Sequence, residues 1–181
     1  MASAVLLLLS LVACGGEGDP SVMREYLEDA GWVVEPVLEG AESEISGVSP
    51  AACEPLFGVL DRGKEDRVTG FRNEKRGSYL LIRDWPSGQE NLPRSVLEAA
   101  EMCPRMAMGY DSTKLAYTVM VVLREEKETR LLLTARESDA LVTEMLVSAS
   151  TGSGENRLVR VMNPRGIAKP EQDAMDLAAN R

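Results

Sequence analysis

Residues 115–136 read LAYTVMVVLREEKETRLLLTAR, and the spacing of the apolar residues within them decides the fold class. Leu115, Tyr117, Val119, Val121 and Leu123 alternate with Ala116, Thr118, Met120 and Val122. A period of two belongs to a strand, whose successive side chains point to opposite faces. Both sets are fairly apolar, which predicts a central strand covered on both sides. The charged run REEKET then turns the chain into a second strand over Arg130–Arg136, a connection of hairpin length.

Working outward, Leu141, Val142, Met145 and Leu146 fit a helical stripe, while VTEMLVSAS equally suits a strand. TGSGEN reads as a turn, Arg157 to Met162 as a strand and Pro170 to Ala179 as a closing helix. Upstream, Val96, Leu97, Ala100 and Cys103 mark one face of a helix over Leu92–Met102, which Pro104 ends because a residue before proline avoids the α region. Arg67 to Arg72 and Ser78 to Trp85 read as strands joined by NEKRG. Ser49-Pro50 reads as the N-cap and first residue of a short helix carrying Cys53, and the preceding GAESEISG as an acidic loop. Trp32 to Leu38 reads as a strand that Pro36 consigns to an edge. A first helix runs from Pro20 with Val22, Met23, Tyr26, Leu27 and Ala30 on one stripe, and Gly31 lies just past its end. Antiparallel strands with a few short helices make an α+β fold, an antiparallel β-sheet packed with helices.

The first residues address the chain. Ala4 to Ala13 is apolar except for Ser10, about half the roughly 20 residues a membrane-crossing helix needs. It has the length of a secretory h-region. A buried core helix would show a polar face, and this run has none. Leu11-Val12-Ala13-Cys14 resembles a bacterial lipobox, which implies cleavage before Cys14 and lipidation of its thiol. The run departs from the leader pattern in one respect: no Lys or Arg precedes it. The expected organisation is a lipoprotein signal peptide over 1–13, a flexible tether over 14–19 and one α+β domain over 20–181. The membrane is then a partner through the lipid anchor, on the extracytoplasmic face of the cell membrane.

Composition mostly excludes. The formal net charge is −9, which disfavours nucleic acid, since phosphate binding needs clustered Lys and Arg. The short basic cluster Arg72, Lys75 and Arg76 reads as decoration of a hairpin turn. With no histidine in the chain, Ser-His-Asp and Cys-His arrangements and the usual zinc sites fall away. No P-loop, GxGxxG or nucleophile elbow occurs. Acidic pairs such as Glu125-Glu126 are better read as solvated charge than as paired catalytic carboxylates. No catalytic residue, metal ligand or cofactor is expected. After Cys14, Cys53 and Cys103 remain; in an oxidising compartment an even remainder suggests a bridge, with two buried free thiols as the alternative. Trp85 beside Pro86 is a candidate cleft residue or a core cap, and Met102, Met106 and Met108 could floor a pocket or fill the core. No binding residue is assigned.

With the lipobox, Ser49-Pro50-Ala51-Ala52-Cys53-Glu54-Pro55-Leu56 and Met102-Cys103-Pro104 in view, the chain resembles small actinobacterial envelope lipoproteins. These are related to the extracellular sensor domains of mycobacterial serine/threonine protein kinases. Where such proteins often have Gly-Asp-Glu-Ala before a strand, this chain has Glu137-Ser138-Asp139-Ala140. The resemblance implies an antiparallel sheet enclosing a cleft, no catalytic residues, and a strand over 142–150. Two functional expectations follow. One is a lipid-anchored, non-catalytic binding or sensor-like domain for a small or apolar envelope ligand. The other is a structural or interaction lipoprotein that docks an envelope protein without a ligand pocket. Replacing Cys14 with Ser should release the protein from the membrane fraction or leave an uncleaved precursor. A membrane-bound variant with a processed N-terminus would contradict the lipobox reading.

Overall fold

Nine antiparallel strands hydrogen-bond in the order β1-β3-β4-β9-β8-β7-β6-β5-β2 in the computed structural model, which describes residues 20–35, 45–60, 67–88, 91–110, 113–152 and 154–179. The elements in chain order are α1 (Pro20–Asp29), β1 (Val33–Val34), β2 (Ile45–Ser49), a 3-10 turn (Ala51–Cys53), α2 (Glu54–Leu60), β3 (Arg67–Asn73), β4 (Ser78–Pro86), α3 (Leu92–Met102), β5 (Arg105–Tyr110), β6 (Thr113–Arg124), β7 (Glu128–Glu137), β8 (Ala140–Thr151), β9 (Glu155–Asn163) and α4 (Lys169–Ala179). The fold is α+β. Residues 1–19, and with them Cys14, lie outside the described residues, as do 36–38 of the strand expected after Trp32. Among the described residues no helix is long and apolar enough to cross a membrane.

Period-two alternation explains how the helices divide the sheet. Leu131, Leu133 and Ala135 of β7, Met145, Val147 and Ala149 of β8, and Tyr117 and Val119 of β6 point to one face. There they meet Val96, Ala99 and Ala100 of α3 and Leu56 and Leu60 of α2. Leu80 and Ile82 of β4, Val159 and Val161 of β9 and Leu146 of β8 point to the other face, beneath Ala174, Met175 and Ala178 of α4, with Leu27 and Trp32 alongside. A fully buried Leu or Met contributes roughly 1.5–3 kcal/mol relative to an exposed one, so each helix is held mainly by its apolar stripe. Hence α2 and α3 cover the β5-to-β9 half of one face, and α4 covers the β4-β9-β8 part of the opposite face.

Local chemistry sets the punctuation. The side chain of Asn91 accepts from the Arg94 N–H and starts α3, with Pro93 in the first turn, where a missing N–H costs nothing. Gly31 ends α1 at φ +85°, a conformation that favours glycine. The β7–β8 hairpin turns on Ser138 (φ 48°) and Asp139 (φ 69°), the paired positive φ of a tight two-residue turn. The strand spans expected at 67–72, 78–85, 115–123, 130–136 and 142–150 and the helix over Leu92–Met102 are present.

Several expectations are overturned. The acidic stretch 40–47 is not all loop, because Ile45–Ser49 pairs antiparallel with β5. Ser49 and Pro50 do not open the helix: the α-helical turn begins at Glu54, after a 3-10 turn, and Pro55 is tolerated in its first turn. Arg105–Tyr110, to which no element is assigned from the sequence, is a strand that sends Met106 and Met108 into the core, as core filling requires, and Met102 just before it is exposed. In α1, Leu27 is buried whereas Val22 and Tyr26 of the same stripe are exposed. Most consequential, β6 is covered on one side only: Met120 is 53% and Val122 46% exposed. Their apolar character marks an open face, not a second buried one.

Connectivity adds a constraint. Sequence-adjacent β1 and β2 are the two opposite edges of the sheet. Eleven peptide units join the end of β1 at Val34 to the start of β2 at Ile45.

Cys53 and Cys103 form a disulfide with Cα atoms 5.0 Å apart, tying the 3-10 turn to the C-terminal end of α3. It closes a 50-residue separation, for which chain entropy gives about 4 kcal/mol of stabilisation. The folded chain, once Cys14 is accounted for, should show no titratable thiol, and reduction should lower its Tm. Two reactive thiols per native chain would contradict the bridge.

Candidate functional site

The open face is built by three neighbouring strands whose registers line up their outward side chains. Arg105 of β5 lies opposite Thr118 of β6, which lies opposite Thr134 of β7, which lies opposite Glu144 of β8. One step along, Met120 lies opposite Leu132, and Leu132 opposite Leu146. One step the other way, Ser49, Ala107 and Ala116 are in register. These rows, with Pro50 and Arg136, line an open cleft of about 630 Å³. A smaller hollow of about 350 Å³ continues it from Leu132 and Val122 to Ile167, Gln172 and Asp176 beside α4. Cavities of roughly 300–1,000 Å³ with an apolar floor and a few polar groups are the usual form of small-molecule sites.

Charge is distributed unevenly along the groove. At the α4 end the ionic groups are spent on one another: Arg130 pairs with Glu128 and Asp176, and Ser148 donates to Glu128. Glu144 accepts from the Ile167 N–H at 2.8 Å and lies 3.4 Å from the Thr134 hydroxyl. Gly166 permits this approach, with φ +93° and a hypothetical Cβ only 3.1 Å from Leu141. At the β5 end, Arg136 donates to the Asp139 carbonyl, and neither Arg105 nor Arg136 makes an ion pair with a described residue. The polar groups lining the groove thus include two guanidiniums, the hydroxyls of Ser49 and Thr118, and a Thr134 hydroxyl turned to Glu144.

What holds α4 at the border of this groove is a buried polar cluster. Glu171 has no solvent exposure and accepts hydrogen bonds from Arg76 Nε and Nη2, Ser78 Oγ, Asn163 Nδ2 and the Ala168 N–H. At the other end of the helix, Arg157 bonds Asp84 with both Nε and Nη2 and donates Nη1 to the Ala178 carbonyl at 2.8 Å. Arg76 therefore does more than decorate a turn.

The remaining candidates are placed as follows. Trp85 sits in the core under α3 on the opposite face and does not line the groove. Met106 and Met108 fill that same core. Among the described residues no three His, Cys, Asp or Glu side chains are placed to hold a metal. Arg105, Met120, Leu132, Thr134 and Arg136 were not singled out by sequence reasoning. The available signal was the second apolar set of β6, whose uncovered face the alternation alone could not reveal.

The architecture is thus an α+β domain with one sheet face half covered and half grooved. No family model matches the chain, and no curated protein matches it significantly. Among solved structures it is similar to the extracellular domain of PknH from Mycobacterium tuberculosis, at 9% identity and a TM-score of 0.58, covering 89% of each chain. At that identity the likeness is one of fold.

Burial by itself would push the Glu171 carboxyl up, but the hydrogen bonds from Arg76, Ser78, Asn163 and Ala168 outweigh it and lower the group from 4.5 to about 2. A carboxylate so lowered contributes stability that is fully present above the unfolded value and is lost as pH falls through the folded one. The shift corresponds to on the order of 3 kcal/mol. Wild-type stability should therefore fall more steeply than that of Glu171→Gln between about pH 5 and pH 2, and the variant should be the less stable at neutral pH. Parallel pH profiles of unfolding free energy would contradict the cluster's role.

Proposed function

We propose that the chain is a lipid-anchored, non-catalytic extracytoplasmic domain that binds a small, largely apolar ligand on the open face of β5–β7. The observation that carries the reading is the groove itself. A sheet face left uncovered beside α4 keeps Met120 and Val122 half in water, where soluble surfaces seldom cluster apolar side chains around a concavity. Export is supported by the leader-like first residues, by the disulfide, and by a fold similar to that of the extracellular domain of PknH. The domain organisation (leader over 1–13, tether over 14–19, folded part over 20–181) belongs to the same proposal.

The structural or interaction alternative draws on one observation of its own. Val33 on the edge strand β1 is 60% exposed, and Val22 and Tyr26 are exposed on α1, so apolar groups are also offered away from the groove. A stoichiometric envelope protein recovered with the native chain, and lost on Val33→Lys but not on groove substitution, would favour that alternative.

For the ligand reading, Nile red serves as an apolar probe. Its fluorescence should rise on the wild-type protein, and Met120→Asp should weaken binding at least about tenfold while leaving Tm nearly unchanged, because an exposed position away from the core changes stability by only about 0.5 kcal/mol. Unaltered dye binding in Met120→Asp would contradict the site.

A further inference from the structure

Three features of the groove specify what it would hold. The first is a gradient across its rows. The row of Met120, Leu132 and Leu146 is apolar from β6 to β8 and continues to Ile167 beside α4. The row of Arg105, Thr118 and Thr134 is polar and ends on β8 at Glu144, whose carboxylate is taken up by the Ile167 N–H and the Thr134 hydroxyl, and Arg136 flanks it one residue beyond Ala135. A ligand lying across the strands thus meets an apolar track on one side and cationic donors on the other.

The second feature is spacing. β5 and β7 flank β6 and Arg136 lies two residues beyond the row of Arg105, so the backbones carrying the two arginines stand about 12 Å apart, with Thr118 and Thr134 beside the line between them. Two long arginine side chains can converge on one small group over that span, whereas they do not reach each other's backbone.

The third is charge. The molecule carries a formal net charge of −9, and elsewhere on this face Arg130 is already paired with carboxylates. Arg105 and Arg136 have no ion-pair partner among the described residues, and guanidinium–anion hydrogen bonds are about twice as strong as neutral ones, so an anion within reach of both side chains is the group this end of the groove favours.

We infer that the groove takes a single-chain amphiphile with an anionic head, the head held between Arg105 and Arg136 with Thr118 as a further donor, and the chain laid along Met120, Leu132 and Leu146 toward Ile167. The inference rests on the groove being a ligand site and adds the class of ligand. Openness of the cleft suits one chain better than several, since only one apolar row is continuous from the guanidiniums to α4.

The test uses the full chain in its membrane and three photoactivatable probes with a diazirine in an oleoyl chain: oleate, oleoyl lysophosphatidate and neutral monooleoylglycerol. Crosslinked peptides are mapped by mass spectrometry. Both anionic probes, or one of them, should label β6 and β7 at least about tenfold more than monooleoylglycerol. Which of the two dominates distinguishes a carboxylate from a phosphate head. The double substitution Arg105→Gln with Arg136→Gln should bring anionic labelling down to the neutral level and leave monooleoylglycerol labelling unchanged, while Met120→Asp should remove all three. Equal labelling by neutral and anionic probes, or labelling indifferent to the arginines, would overturn the head assignment while leaving the groove as a site. No labelling of β6 or β7 by any probe would overturn the groove reading with it.

Discussion

The carboxylate of Glu171, fully withdrawn from water, receives five hydrogen bonds from four residues that belong to the β3–β4 turn, the start of β4, the end of β9 and the approach to α4. Removing a carboxylate from water costs several kcal/mol unless its lone pairs are filled, and here they are. The cluster defines one position for the N-terminal end of α4, and Arg157, clamped to Asp84 and to the Ala178 carbonyl, defines the other end. Fixed at both ends over β4, β9 and β8, an eleven-residue helix cannot also lie across β5–β7. The groove is the part of the sheet face that this helix does not reach.

The opposite face shows the complementary solution. There α3 and α2 lie over β5–β9, and the disulfide joins the turn before α2 to the end of α3, so the half of the sheet that is open on one side is backed on the other by a cross-linked core. Thr129 adds a hydrogen bond from the sheet to the Pro93 carbonyl at 2.8 Å, fixing the start of α3. A binding face with side chains on strands backed by a packed core is stiffer than one on loops, which lowers the ordering cost of association. Pairing of β2 with β5 places Ser49 beside Ala107 and brings Ser49 and Pro50 to the rim of the groove.

Much of this was legible in the sequence because period-two and period-3.6 patterns report how a segment meets the core. The β6–β7 hairpin, Leu92–Met102 and the closing helix follow from spacing alone. What could not be read was which element covers which face. The outward residues of β6 are as apolar as many buried ones, so Met120 and Val122 predicted a cover that α4 does not supply. Ile45–Ser49 adjoins an acidic run, and its pairing with β5 is a long-range partnership that no local signal carries. Likewise Arg76 and Glu171 are 95 residues apart, and the cluster they form exists only once β3, β4, β9 and α4 are assembled. The site's arginines share this character: Arg105 and Arg136 acquire meaning from register.

Native mass spectrometry of the full chain, purified gently from the cells that express it, reaches the central claim most directly. The account predicts one non-covalent small molecule per chain that survives extraction and is absent when Met120 is changed to Asp. A chain that carries no small molecule and is recovered with a stoichiometric protein partner instead would contradict it.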